Sequence, residues 1–106
     1  MLAGPNEIVD EFRAMVLATR PQGLAGCYAA LRDADLRRTI SLVRCPTLVI
    51  AGEHDTVTAA SHSRAIAATI PGAQLRVLPT VHLPNIERPA EFLQIVLEFL
   101  SRGSGI

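Results

Sequence analysis

An aspartate and a histidine, Asp55 and His82, are the residues of this sequence best placed to do chemistry together. Residues 47–51 form an unbroken run of apolar and β-branched residues that Gly52 ends, which is typical of a buried parallel strand, and Asp55 follows three residues later. His82 comes shortly after a second short strand, predicted over Gln74–Leu78. In open α/β sheets, ligands bind where the carboxyl ends of the strands meet. The spacing therefore predicts that both side chains leave the same edge of one sheet.

A carboxylate beside an imidazole can orient a general base. The acid fixes the ring's tautomer and stabilises its charged form, while the histidine takes and returns a proton. Taken singly, such an aspartate is more often a loop or helix-capping carboxylate, and such a histidine is more often a hydrogen-bonded surface residue. Their matching positions at two strand ends favour the catalytic interpretation for both.

The remaining candidates point to no cofactor and no metal. His54 and His62 fit exposed positions, and Glu53, His54 and Asp55 are adjacent in a loop, where side chains seldom converge on one ion. Cys27 lies in a predicted helix without a neighbour that would activate it as a nucleophile.

The elements that must position the pair begin at residue 45. We predict a β-α-β-α unit over residues 45–101: the two strands, a helix between them capped by Thr58 or Ser61, a loop over 79–88, and a last helix starting at Pro89. The strands should be parallel. The fold class is α/β, and residues 102–106 are expected to form a flexible tail.

Residues 1–44 are predicted to form a helical segment without a strand. Apolar residues recur at helical spacing at Ile8, Phe12 and Met15. A break over 20–23 is followed by a short helix over residues 26–31, and a third helix is expected around Leu36, Ile40 and Val43.

Composition limits the classes of function. The 106 residues suit one domain, are 49% hydrophobic, and carry no net charge, with arginines dispersed among acids. No nucleic-acid or membrane partner is indicated. Cys27 and Cys45 are expected to be free thiols, Cys45 within the core, and a cytoplasmic location is expected because no signal or membrane-spanning pattern occurs.

Two parallel strands seldom form a sheet alone, since such sheets are covered on both faces. We therefore expect the chain to be part of a larger fold, or to pair with a second copy through its exposed sheet edge as a homo-oligomer.

The segments PTLVIAGEHD, AQLRVLP and a histidine followed by NIERPAEF resemble the C-terminal portion of an α/β hydrolase. GCYAALRDADLR and VHLPNIE are similar more narrowly to the 3-oxoadipate enol-lactonase family. The resemblance implies that Asp55 is the triad acid and His82 the general base. It also implies a carboxylate-bearing enol-lactone substrate, opened to 3-oxoadipate in the β-ketoadipate pathway, and places residues 1–44 at the end of the cap domain and the connecting helix.

Two parts of the hydrolase pattern are absent from the sequence. No G-x-S-x-G nucleophile elbow and no HG-type oxyanion-hole loop occurs. We therefore expect a fragment that carries the triad acid and histidine but is not a competent lactonase alone. Two alternatives remain: a fragment of another α/β hydrolase, such as an esterase or dehalogenase, and a non-catalytic remnant that associates with itself.

Overall fold

The computed structural model describes residues 5–103 and divides into two compact units, one ending at Asp35 and one beginning at Leu36. The elements, in chain order, are α1 Pro5–Ala18, α2 Pro21–Asp33, a 3-10 helix Thr39–Leu42, β1 Leu48–Gly52, α3 Ala60–Thr69, β2 Gln74–Leu78, α4 Pro84–Glu87 and α5 Pro89–Gly103.

The first unit consists of α1 and α2. Both helices were predicted, but α2 begins at Pro21, earlier than expected. Pro21 does not break the chain here because proline is favoured at the first position of a helix, where its missing N–H would have no partner. The break lies instead at Arg20, whose backbone is extended (φ −69°, ψ 129°). Several large apolar side chains of this unit are exposed, among them Met15 at 57% and Leu31 at 72%.

The predicted third helix is wrong in extent. Only Thr39–Leu42 is helical, as a single 3-10 turn, because Val43 is already extended (φ −66°, ψ 124°). Apolar spacing alone could not show that this segment ends after one turn. The 3-10 helix belongs to the second unit, which begins at Leu36.

The two strands pair in parallel and in matched register. Leu48 lies opposite Gln74 at one end and Gly52 opposite Leu78 at the other, so both strands end at the same level. Ala51 and Leu78, near those ends, are buried, as is Ile95 on α5. The prediction of a parallel β-α-β-α unit is confirmed, with α3 connecting the strands. Residues 48–50 of β1 are half-buried within this chain.

The segments that leave the two strands are hydrogen-bonded to each other. The Glu53 N–H donates to the Leu78 carbonyl at 2.8 Å, and the His54 N–H donates to the Thr80 carbonyl at 2.9 Å. Gly52 makes this approach possible, because a Cβ there would overlap the Val81 carbonyl oxygen and lie 2.8 Å from the Thr80 carbonyl oxygen. The side chain of Thr80 is fully buried at this crossing.

Four smaller expectations need correction. The N-cap of α3 is Ala59, without a side-chain cap, so neither Thr58 nor Ser61 has that role. The predicted loop over 79–88 contains α4. Helix α5 continues through Gly103, past the predicted end at 101, while residues 104–106 of the predicted tail lie outside the described residues. Cys45 is exposed rather than in the core, because it lies before β1 begins.

Within residues 5–103, no helix combines the length and the apolar character needed to cross a membrane.

Candidate active site

Asp55 is held in place by the turn that follows β1. Its own N–H donates to the Gly52 carbonyl at 3.2 Å. Its carboxylate Oδ1 accepts the backbone N–H groups of Val57 at 2.8 Å and Thr58 at 3.0 Å. An aspartate that accepts N–H groups two and three residues ahead stabilises a tight turn and loses its own rotational freedom. Only 7% of the Asp55 side chain remains exposed, so the carboxylate is largely removed from solvent.

His82 meets this carboxylate from the other strand. Its Nδ1 lies 3.0 Å from Asp55 Oδ2, and the ring is 49% exposed. The two residues singled out in the sequence are thus in direct contact, across 27 positions of the chain. Because the contact occupies Nδ1, Nε2 is the ring nitrogen left to exchange a proton with a reacting group. This is the orientation that a histidine needs to serve as a general base.

Thr58 is a third member of the cluster that the sequence did not reveal. Its hydroxyl lies 3.0 Å from Asp55 Oδ2 and 3.5 Å from His82 Nδ1. The sequence predicts Thr58 only as one of two possible caps of the following helix, with Ser61 as the other. In the structure its hydroxyl instead turns back toward the Asp55 carboxylate and the His82 imidazole.

Burial and hydrogen bonding act on the Asp55 carboxyl in opposite directions. Burial raises its pKa, because a charged group loses hydration. The hydrogen bonds from His82, from the N–H groups of Thr58 and Val57, and from the Thr58 hydroxyl together outweigh this effect and lower the pKa to about 2. Asp55 is therefore ionised at neutral pH, as the orienting acid beside a histidine must be.

Glu87 on α4 holds the loop that carries His82. The Val81 N–H, immediately before the histidine, donates to Glu87 Oε1 at 3.2 Å and Oε2 at 3.1 Å. A hydrogen bond from an N–H to a carboxylate is stronger than one between neutral groups. The histidine loop is thereby closed onto the helix that follows it. The sequence does not reveal this contact, because a glutamate six residues after Val81 could equally well be an ordinary exposed residue.

The other candidates do not join the site. His54 Nε2 lies 3.8 Å from Glu53 Oε2, with both side chains mostly exposed. His62 is exposed in the first turn of α3. Across residues 5–103, no three histidine, cysteine or acidic side chains converge as a metal site would require. Cys27 and Cys45 are both unpaired and exposed.

Thr58 is not the missing nucleophile, although it carries a hydroxyl group. It lies on the Nδ1 side of the His82 ring, beside Asp55. A nucleophile must reach the other nitrogen, Nε2, to transfer its proton during attack. An aspartate and a histidine in this arrangement have the geometry of the acid and base of a triad, which a hydroxyl or thiol approaching Nε2 would complete.

The parallel strands, their connecting helix and the acid and histidine at their shared ends match one class of enzyme. The chain has the fold of the C-terminal portion of an α/β hydrolase. It is 38% identical over 96 residues to 3-oxoadipate enol-lactonase 1 of Acinetobacter baylyi, which covers 90% of this chain and 36% of the relative. No family model matches the chain.

Solved structures of hydrolases are also similar to this chain. A hydrolase from Pseudomonas aeruginosa PA01 matches with a TM-score of 0.85 and 56% identity, over 92% of this chain and 36% of that one. The enol-lactonase from Burkholderia xenovorans LB400 matches with a TM-score of 0.87 and 32% identity, over 91% and 37%. Esterases are also among the matched structures. The chain spans little more than a third of the length of these relatives.

The lowered pKa of Asp55 predicts how stability depends on pH. Because the folded-state pKa of about 2 lies below the ordinary value of 3.8, the ionised carboxylate stabilises the folded chain above about pH 4. That contribution is lost as the pH falls toward 2. In urea unfolding at a series of pH values, the stability of the wild-type chain should fall more steeply between pH 4 and 2 than that of Asp55→Asn.

Asp10→Asn is the control for loss of one negative charge, since the Asp10 side chain is 74% exposed and lies in the first unit. Identical pH slopes for the wild type and Asp55→Asn would show that the carboxyl is not held ionised by its donors.

Proposed function

We propose that this chain supplies the acid and the general base of a carboxylic-ester or lactone hydrolase, with Asp55 as the acid and His82 as the base. The observation that carries the proposal is the 3.0 Å contact between Asp55 Oδ2 and His82 Nδ1 at the aligned ends of two parallel strands. The preferred substrate is 3-oxoadipate enol-lactone, which the name of the Acinetobacter baylyi relative specifies; the Burkholderia xenovorans structure, an enol-lactonase, supports the substrate class.

In the proposed reaction, a serine from another part of the hydrolase attacks the lactone carbonyl while His82 Nε2 takes its proton. Ionised Asp55 stabilises the resulting imidazolium. Collapse of the tetrahedral intermediate breaks the bond to the ring oxygen, which receives the proton from His82. Water then attacks the acyl-enzyme, again deprotonated by His82, and the serine is released with its proton restored. The overall change is addition of one water across the ester bond.

The acid and histidine do not by themselves select a lactone over another ester. Both groups act on the serine and the leaving oxygen, which all ester hydrolyses share. Lactone preference, and a role in the β-ketoadipate pathway, are therefore proposed from the relatives named above. A cytoplasmic location is proposed with them, because the two free cysteines suit a reducing compartment.

Self-association is the second candidate function, and it rests on a different observation. Each of the two strands pairs only with the other among the described residues, so each has an outer edge without a ladder partner. Large apolar side chains are also exposed on the second unit, including Leu42 at 72% and Val57 at 70%. Unpaired edges and apolar patches favour pairing between copies.

A fusion enzyme tests the hydrolase proposal. The 106-residue chain would replace the matching C-terminal third of the Pseudomonas aeruginosa hydrolase, whose remaining part would provide the nucleophile. We expect hydrolysis of 3-oxoadipate enol-lactone or p-nitrophenyl acetate by the fusion, and no turnover by the chain alone. His82→Ala should lower kcat by about 10⁴-fold or more, because the serine then lacks its base.

His54→Ala is the matched control, since His54 lies in the same loop as Asp55 and its mostly exposed ring lies beside Glu53, and the kcat of this variant should stay within about twofold of the parent. A folded fusion whose kcat is unaffected by His82→Ala would contradict the proposal. Hydrolysis of the p-nitrophenyl ester but not of the enol-lactone would favour an esterase.

Sedimentation velocity of the isolated chain tests self-association. If a second copy covers the strand edges and apolar side chains, the chain should sediment as a dimer or larger species at micromolar concentration. A monomer across that range would count against this function and leave the hydrolase proposal untouched.

A further inference from the structure

The hydroxyl of Thr58 stands between the two side chains of the proposed catalytic pair. We infer that Thr58 is a positioning residue, which holds the His82 ring in the tautomer that carries its proton on Nδ1. The inference rests on the proposed function for its catalytic consequence, but the tautomer itself is a property of this chain. The sequence predicts Thr58 only as a possible helix cap, a role that it does not have in the structure.

The direction of the Thr58 hydroxyl proton follows from the two distances. A hydroxyl has one proton to donate and lone pairs to accept with, whereas an ionised carboxylate only accepts. Thr58 Oγ1 lies 3.0 Å from Asp55 Oδ2 and 3.5 Å from His82 Nδ1. The proton therefore goes to Asp55, since that contact is shorter and its acceptor is charged. The hydroxyl oxygen therefore presents its lone pairs to His82 Nδ1.

Nδ1 of His82 consequently faces two acceptors. Asp55 Oδ2 lies 3.0 Å away and Thr58 Oγ1 lies 3.5 Å away. A proton on Nδ1 is attracted to both oxygens, while a lone pair on Nδ1 would be repelled by Asp55 Oδ2 and could be met by Thr58 only if its hydroxyl gave up the hydrogen bond to that carboxylate. The neutral ring therefore carries its proton on Nδ1 and keeps the lone pair on Nε2. This is the nitrogen that a general base presents to the nucleophile.

Thr58 also fixes the carboxylate that the histidine meets. Asp55 accepts four hydrogen bonds, of which the backbone N–H and the hydroxyl of Thr58 provide two, one to each oxygen. A carboxylate held at both oxygens cannot rotate freely about its Cβ–Cγ bond. The position of Oδ2, and with it the aim of the imidazole, therefore depends on Thr58.

Nitrogen NMR of the isolated chain tests the inference without requiring activity. At about pH 9, where an imidazole is ordinarily neutral, the ¹⁵N shifts of Nδ1 and Nε2 report which nitrogen is protonated. The wild type should show a protonated Nδ1. Thr58→Val keeps the shape and the backbone N–H but removes the hydroxyl, and should raise the fraction of the other tautomer about fivefold, as expected for one neutral hydrogen bond.

Two further variants separate this role from general loop stability. Thr58→Ser restores a hydroxyl and should restore the wild-type shifts. Thr56→Val makes the same chemical change at an exposed threonine of the same loop and should leave the shifts unchanged. Unchanged His82 shifts in Thr58→Val would overturn the inference, whatever the activity of any fusion.

In the fusion enzyme, Thr58→Val should lower kcat about fivefold with KM within about twofold, and Thr58→Ser should recover most of the loss. A fall in kcat that serine does not recover would overturn the catalytic role of the hydroxyl. If Thr58→Val shifts the tautomer but no fusion hydrolyses either substrate, the inference about the ring is supported while the proposed function fails.

Discussion

The matched register of two parallel strands is the constraint on which the site depends. Gly52 and Leu78 lie opposite each other, so the chain leaves both strands at one level. A shift of one residue would displace the exits by about 3.3 Å, more than the tolerance of a hydrogen bond. Backbone hydrogen bonds between the exits, at Glu53 and His54, reinforce the register beyond the strands themselves. They require the close approach that only glycine at position 52 permits.

Once the ends of the two strands are fixed, the chemistry at the site depends on which groups donate hydrogen bonds to the Asp55 carboxylate. Largely removed from water, it would tend to take up a proton, and its donors prevent this. Three of its four hydrogen bonds come from its own turn, and the fourth comes from His82. The turn therefore holds the Asp55 carboxylate largely without His82. Glu87 in turn holds the loop that carries His82 by accepting the Val81 N–H.

Much of this arrangement could be predicted from sequence, for physical reasons that particular residues make clear. The apolar run ending at Gly52 and the proline at position 89 are strong local signals, and β2 was predicted at its observed bounds. Parallel strands place Asp55 and His82 at the same edge of the sheet, but the sequence does not predict their contact, which depends on the register of the strands and on the two turns that follow them. The contacts of Thr58 and Glu87 could not be predicted in this way, because they depend on where each side chain points in the folded protein. The short 3-10 helix was missed because periodic apolar residues do not reveal where a helix stops.

The most direct test of the account is a double-mutant cycle between Asp55 and His82 in the fusion with the Pseudomonas aeruginosa hydrolase. The measured quantity is kcat for Asp55→Asn, for His82→Ala and for the double variant. If Asp55 acts only by orienting and stabilising His82, the double variant should be no slower than His82→Ala alone, since the acid has no further group to act on. Losses that multiply in the double variant would show that the two residues act independently, and would contradict the account.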